Sequence, residues 1–158
     1  MRIGFGFDVH RLSENSDFFL GGVKIPHTKG AVGHSDADVL IHAICDAMIG
    51  ALSLGDIGTH FPDTDQSIKG IDSKVILAKV MELITKKNYF VVNIDSTVCL
   101  EKPKVMKYAS QMKILISAIC KIGADDVSIK ATTNEQLGFI GREEGIAAYA
   151  VVLLDSKK

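Results

Sequence analysis

The sequence has no tryptophan, and it contains only three prolines and three cysteines among its 158 residues. Cys45, Cys99 and Cys120 are odd in number and form no C-x-x-C pair, which argues against a disulfide framework and against a cysteine zinc finger. Each lies among apolar residues and is expected to pack as a small hydrophobic side chain. We therefore expect a reducing, cytoplasmic compartment, or a plastid-type organelle if a transit peptide has been removed.

The chain also lacks a strong charge of either sign. Its 18 basic and 19 acidic residues give a formal net charge of -1, so nothing favours general binding to nucleic acid or to membrane surfaces. No apolar stretch approaches the ~20 residues that span a bilayer, and no apolar signal segment is found at the N-terminus. We expect neither nucleic acid nor a membrane as a partner.

What the sequence does have is a large apolar fraction and a regular alternation of elements. Hydrophobic residues make up 47% of the chain, and its length favours one domain over 1–158. A mean hydropathy of +0.22 is high for so small a domain and hints at a subunit interface.

Strands and helices alternate in the predicted secondary structure. Strands are predicted at 2–9, 90–100, 127–133 and 145–154, and a hairpin at 18–25 turning at Gly21 and Gly22. Helices are predicted at 35–53, at 72–87 and from the residue after Pro103 to about 121. The first helix is expected to be capped by Ser35. The apolar run 145–154 predicts a strand buried on both faces. The pattern predicts an α/β (α+β) fold, a single sheet with helices packed on one face.

Three potential metal ligands stand out. Asp8 and His10 are two residues apart on a predicted strand, so their side chains point to the same face, about 6.5–7 Å apart along the chain. His42, on the following helix, could complete a three-ligand site that leaves one zinc position open for water or substrate. Taken alone, a D-x-H pattern with two ordinary histidines is more typical of a charged strand end than of a metal site.

One further polar cluster lies before the loop at 55–69, and two more lie within it. His34-Ser35 is a ligand pair or only a helix cap. Asp56, between Gly55 and Gly58, is normally a turn former. The segment 61–65 is a solvated loop or a flap over a substrate.

Similar alternatives hold for the C-terminal half. Lys102-Pro103-Lys104, at a helix start, could hold an anion or a base edge, or be charged surface. The segment 131–135 could bind phosphate oxygens and a hard metal, or be a fraying strand end. Arg142 could bind phosphate through two nitrogens, or pair with Glu143 or Glu144.

In this order and spacing, the clusters resemble the 2-C-methyl-D-erythritol 2,4-cyclodiphosphate synthases, the family of the methylerythritol phosphate (non-mevalonate) route to isoprenoid precursors. The resemblance covers essentially the whole chain. It is carried by the segments 6–10, 33–40, 42–47, 55–58, 61–65, 130–135, 137–139, 141–142 and 144–145.

The resemblance implies a phosphorus-oxygen lyase. In that family the 2-phosphate of 4-diphosphocytidyl-2-C-methyl-D-erythritol 2-phosphate attacks the β-phosphorus, CMP leaves, and a cyclic diphosphate forms. It also implies zinc on Asp8, His10 and His42, and a second divalent ion, magnesium or manganese, on Glu135 and the substrate phosphates. Family members are homotrimers with active sites between subunits.

The resemblance further implies roles for individual residues. Catalytic roles fall to Thr133, Glu135, His34 and Asp63. Substrate contacts fall to Asp8, His10, His34, Ser35, Asp56, Ile57, Gly58, Phe61, Pro62, Asp63, Thr64, Asp65, Leu100, Lys104, Val105, Met106, Ala131, Thr132, Thr133, Phe139 and Arg142. Among these, 100–106 and 131–133 should frame the cytosine and the α-phosphate, and Asp56 and Gly58 the ribose. His34, Ser35 and Asp63 should reach the methylerythritol phosphate.

Three other functions remain possible from the residues alone. Two histidines and a carboxylate also form the metal site of a non-haem iron oxygenase. A metal-dependent phosphohydrolase would use the same ligands and phosphate-binding clusters. A non-catalytic trimeric binding module would need no open metal position. Bound metal, oxygen consumption and affinity for cytidine nucleotides distinguish these functions.

Overall fold

The computed structural model describes residues 1–62 and 64–157, and it contains one five-stranded sheet, a small hairpin and several helices. Its strands are β1 (Arg2–Glu14), β2 (Phe19–Leu20), β3 (Val23–Lys24), β4 (Lys29–Val32), β5 (Tyr89–Cys99), β6 (Val127–Thr132) and β7 (Gly145–Ser156). Its α-helices are α1 (Val39–Ala51), α2 (Ile57–His60), α3 (Ser73–Lys86), α4 (Ala109–Cys120) and α5 (Gly138–Gly141). Three short 3-10 helices occupy Gln66–Ile68, Met106–Tyr108 and Ala124–Asp126.

The strands of the large sheet lie in the order β4-β1-β7-β5-β6. Only β5 and β6 run parallel, and the other neighbours are antiparallel. Helix α1 packs across β1 and β7, while α3 and α4 cover β5 and β6. The predicted mixed α/β fold with helices on one face of a sheet is confirmed. The hairpin is also confirmed, because Gly21 and Gly22 take the positive φ angles that its turn between β2 and β3 requires.

The opposite face of the sheet is apolar and open. Ile3, Phe5, Phe7 and Val9 alternate along β1 on this face, and all four side chains are exposed. Their β7 neighbours are similar, because Tyr149 pairs with Phe7 and Val151 with Phe5 in the register. We call these four β1 residues, together with Tyr149 and Val151, the outer sheet face.

The prediction that 145–154 is buried on both faces is wrong for the single chain. Tyr149 and Val151 are 40% and 38% exposed, whereas their neighbours Ala148, Ala150 and Val152 are buried. The strand alternates as antiparallel strands with one covered face do. The sequence reads as continuously apolar because the open face is apolar too.

Helix α1 begins later than the sequence predicts. Its N-cap is Asp38, whose Oδ1 accepts a hydrogen bond from the Ile41 amide at 3.1 Å, so the prediction of Ser35 as the cap is wrong. The same carboxylate accepts the amides of Gly21 and Gly22 at 2.9 and 2.6 Å. Burial raises the pKa of Asp38, against these three hydrogen bonds. One buried side chain therefore fixes the start of α1 and attaches the β2–β3 turn to it.

The sequence pattern did not predict β4, α2 or α5, which have only four residues each. Among residues 1–62 and 64–157, no helix combines the length and the apolar character needed to cross a bilayer.

Candidate active site

Asp8, His10 and His42 form a compact triangle of ligand atoms, and we call it the metal triad. Asp8 Oδ2 lies 3.0 Å from His10 Nε2 and 3.0 Å from His42 Nδ1, and the two nitrogens are 3.1 Å apart. Ligand atoms in a tetrahedral zinc site with bonds of about 2.0–2.1 Å are separated by about 3.3 Å. The predicted convergence is confirmed, and the cluster fits a divalent metal ion.

The packing of β1 against α1 brings the triad together. Gly4, Gly6, Asp8 and His10 all lie on the face of β1 that α1 covers, and both glycines are buried. A Cβ at Gly6 would lie 2.7 Å from the Ala47 amide nitrogen and would overlap the carbonyl oxygen of Ala43. The backbones of β1 and α1 therefore approach more closely than residues larger than glycine would allow. This close approach places His42 of α1 next to Asp8 and His10 of β1.

The electrostatics of the triad favour a cation. Burial opposes ionisation of Asp8, but hydrogen bonds and charge interactions with His10 and His42 lower its pKa to about 2. Burial lowers the pKa of His42, but the Asp8 hydrogen bond and the charges of Asp8, Asp38 and Asp36 raise it overall. An ionised carboxylate between two imidazoles is a favourable position for a divalent ion.

A cavity of about 200 Å³ opens beside the triad. Four other residues with predicted substrate roles line it: His34, Ser35, Ile57 and Phe61. Nε2 of His34 is buried and has no hydrogen-bond partner among the described residues, so it is available to a ligand. Asp63, the remaining predicted contact to methylerythritol phosphate, lies outside the described residues.

A second pocket, of about 110 Å³, lies where β5 and β6 end. All seven residues predicted to frame the cytosine and the α-phosphate line it: Leu100, Lys104, Val105, Met106, Ala131, Thr132 and Thr133. Glu135 follows this pocket in the chain, is exposed, and accepts a hydrogen bond from Thr133 Oγ1 at 3.2 Å. Glu135 is not one of the three residues of the metal triad.

The other predicted contacts have ordinary surroundings in the single chain. Asp56 caps α2, which contains Ile57 and Gly58, and its Oδ1 accepts the amide and hydroxyl of Thr59. The Thr59 hydroxyl and amide hydrogen bonds lower the pKa of Asp56. Pro62, Thr64 and Asp65 are exposed.

Phe139 and Arg142 line a wide groove beside β1 rather than either pocket. The Arg142 guanidinium forms two hydrogen bonds with the Glu144 carboxylate, from Nε at 3.0 Å and from Nη2 at 2.9 Å. In the single chain, Arg142 is therefore engaged in the ion pair that the sequence left open as the alternative to phosphate binding.

Comparison with known proteins identifies the family of the chain. A model of the YgbB family matches residues 1–155. The chain belongs to the YgbB family. It is similar to two proteins named 2-C-methyl-D-erythritol 2,4-cyclodiphosphate synthase. That of Bacteroides thetaiotaomicron is 55% identical over 98% of both chains, and that of Porphyromonas gingivalis is 57% identical over 97% of this chain and 94% of the other. A solved structure described as Plasmodium falciparum IspF in complex with CDP has a TM-score of 0.86 and 36% identity, covering 99% of this chain and 97% of that one.

One contact of this YgbB-family chain was missed from the sequence. Ser73, at the start of α3, is buried, and its Oγ lies 2.9 Å from His42 Nε2. Ser35 Oγ lies 3.1 Å from the same nitrogen. Asp38 and Asp46 are each one helical turn from His42, but they accept backbone amides instead. A serine at a helix start predicts only capping, so no local signal marks Ser73.

Proposed function

We propose that the chain, as one domain over 1–158, converts 4-diphosphocytidyl-2-C-methyl-D-erythritol 2-phosphate to 2-C-methyl-D-erythritol 2,4-cyclodiphosphate and CMP. The observation that carries the proposal is the metal triad beside a cavity lined by His34 and Ser35. It is supported by the relatives of 55% and 57% identity that carry the synthase name. Because those relatives are bacterial, we propose the cytoplasm as the location.

In this reaction the main task of the protein is to position the 2-phosphate and the diphosphate of the substrate. A 2-phosphate oxygen forms a bond to the β-phosphorus as the bond from that phosphorus to the CMP oxygen breaks. The nucleophile is already ionised, so the site needs no strong general base. Holding both groups of one molecule in contact can contribute about 7–11 kcal/mol to lowering the barrier. In this scheme His34 Nε2 and the Ser35 hydroxyl orient the phosphate at the cavity.

Two metal positions complete the proposal. Asp8, His10 and His42 would hold zinc, because two imidazole nitrogens and one carboxylate form a typical open catalytic zinc site. Glu135 would hold magnesium or manganese with the substrate phosphates, since these ions prefer oxygen ligands. When bound, such ions neutralise charge on the phosphate oxygens.

The pocket at the ends of β5 and β6 is the proposed site for the nucleotide. Apolar side chains of Leu100, Val105 and Met106 can cover a base, while Lys104 and the hydroxyls of Thr132 and Thr133 can bind phosphate oxygens. Asp56 and Gly58 are proposed to hold the ribose. The relative from Plasmodium falciparum was solved with CDP, which supports a cytidine diphosphate ligand.

The reaction is tested by phosphorus NMR of the product formed from the diphosphocytidyl substrate. A cyclic diphosphate together with CMP is the expected result. A linear product would favour a phosphohydrolase, and an absence of turnover in the metal-loaded protein would favour a binding module. Oxygen consumption by the iron-loaded protein would favour an oxygenase.

We also propose that the chain is a homotrimer with active sites between subunits. The outer sheet face is a contiguous apolar surface on β1 and β7, of the kind that marks protein interfaces. Tyr149 lies at its centre. Its ring centroid is 5.0 Å from that of Phe7 and 6.3 Å from that of Phe5.

The substitution Phe5→Glu should disrupt this assembly. It places a charge among apolar side chains, so the mass in solution by light scattering should fall from that of three chains to that of one, 17.1 kDa. Turnover should fall with it. The control Val75→Glu, at an exposed apolar position on α3, should leave the mass unchanged. A trimer that persists in Phe5→Glu would contradict an interface on this face.

The loop 61–65 is proposed to exclude water from the reacting phosphates. Phe61 lines the cavity of the metal triad, and Lys79 Nζ lies 5.8 Å from its ring centroid. Phe61→Ala and Asp63→Ala should each raise the ratio of linear to cyclic product, because water can compete with the 2-phosphate. Phe90→Ala, an exposed phenylalanine on β5, is the control. An unchanged ratio at a reduced rate would reject the role of the loop as a cover.

A further inference from the structure

Asp36 and Ser73 form a hydrogen-bonded relay on the side of His42 that faces away from the metal triad. We propose that this relay holds the His42 proton on Nε2, so that Nδ1 keeps its lone pair for the metal ion. Asp36 and Ser73 would thus be positioning residues that act through His42. The inference rests on the proposed function, because it assumes that the triad binds zinc.

The donors and acceptors of the relay allow only one direction. Ser73 Oγ contacts both Asp36 Oδ1 and His42 Nε2. An ionised carboxylate can only accept, and a serine hydroxyl has one proton, so Ser73 donates to Asp36. Ser73 Oγ must then accept from His42, which requires a proton on Nε2. The remaining nitrogen, Nδ1, is the atom that lies 3.0 Å from Asp8 Oδ2.

Asp36 is well placed as the final acceptor. Besides the Ser73 hydroxyl, its carboxylate accepts the amide of Ser73 at 3.0 Å and the amide of Asp38 at 3.3 Å. Its own amide donates to the Ile71 carbonyl at 3.1 Å. Asp36 is therefore fixed between the start of α1 and the start of α3, and its oxygens accept the hydroxyl and amide of Ser73 and the amide of Asp38.

The relay also affects Ser35. Its Oγ accepts the Ala37 amide at 3.1 Å and lies 3.1 Å from His42 Nε2. In the relay the single Nε2 proton is shared between Ser73 and Ser35, so Ser35 accepts both of its hydrogen bonds and its own proton has no acceptor among the described residues. Ser35 lines the cavity, so its hydroxyl can donate to a ligand oxygen there.

The test is zinc affinity together with the His42 ring signal in the zinc-loaded protein. Ser73→Ala removes the acceptor, and Asp36→Asn presents an amide that can donate to Ser73 and reverse the relay. Each should weaken zinc binding about 10–100-fold in competition with a fluorescent chelator. In histidine-labelled protein, nitrogen NMR should detect a Nε2–H on His42, and Ser73→Ala should shift this proton upfield and speed its exchange with water.

Two controls match these changes elsewhere in the chain. Ser117→Ala removes another buried serine hydroxyl, on α4, and Asp72→Asn removes a charge at the N-cap of α3. Both should bind zinc within about twofold of the unchanged chain, a range small against the loss expected for the relay variants. Wild-type affinity in both relay variants, or a Nε2–H signal that Ser73→Ala leaves unchanged, would overturn the relay. Failure of the unchanged chain to bind zinc would overturn the metal role and the relay with it.

Discussion

Replacing His42 with alanine is expected to abolish both metal binding and turnover. The substitution leaves only Asp8 and His10, and two ligands hold a zinc ion far more weakly than three. Charge neutralisation by a bound metal contributes several kcal/mol to phosphoryl transfer. Its loss should lower kcat by at least about 10³-fold, which corresponds to about 4 kcal/mol. Metal content by elemental analysis and CMP release measure the two effects on the same preparation.

A second histidine provides the control for this experiment. His27 is half-buried, contacts the ring of Phe18 and lies outside the metal triad, so His27→Ala should keep both metal and turnover. Added zinc should not rescue His42→Ala at concentrations that saturate the unchanged chain. Full activity of His42→Ala without bound zinc would contradict the proposed role of the triad.

The parts of the site that the sequence could predict depend on local periodicity. Asp8 and His10 share a face because strand residues alternate, and this holds whatever the strand packs against. His42 could be named from the sequence as a candidate third ligand, but only the resemblance assigned it to the same metal, because no local pattern relates a helix residue to a strand 32 positions earlier. The nucleotide pocket is similar: its two segments were connected through the resemblance, and the parallel pairing of β5 and β6 brings them together.

The parts that could not be predicted depend on long-range packing. Serine is a common helix-capping residue, which made Ser35 the expected cap. Asp38 caps α1 instead, and its carboxylate also accepts the amides of Gly21 and Gly22. Ser73 reaches His42 only because the start of α3 packs beside α1. Neither contact leaves a trace in the surrounding sequence, since each joins segments that are 16 or more residues apart.

The exposure of the outer sheet face on β7 was predicted wrongly for a different reason. A strand with an apolar covered face and an apolar open face shows no alternation of hydropathy. The sequence of β7 therefore predicts burial on both faces. The prediction is wrong for the single chain, and under the proposed trimer the same residues lie at the interface. The sequence would then carry information about the assembly that the single chain does not display.

Replacing Gly6 with alanine is expected to lower the stability of the fold substantially. The added Cβ would overlap the Ala43 carbonyl oxygen and lie 2.7 Å from the Ala47 amide nitrogen. Both neighbours are backbone atoms of α1, so the clash is relieved only if the helix moves away from β1. Overpacking of this kind costs about 1–3 kcal/mol, and the upper end applies to a clash with backbone. The midpoint of thermal unfolding should fall on the order of 10 °C.

The same shift should weaken metal binding, because β1 carries Asp8 and His10 while α1 carries His42. Gly50→Ala is the matched control, since Gly50 lies in α1 and a methyl group added there would meet no atom within 4 Å. There the substitution should raise stability by about 0.5–1 kcal/mol, because alanine loses less backbone entropy in a helix than glycine. Thermal unfolding at one protein concentration, with and without zinc, measures both variants. Equal stability of Gly6→Ala and the unchanged chain would contradict the close approach of β1 and α1 on which the geometry of the triad depends.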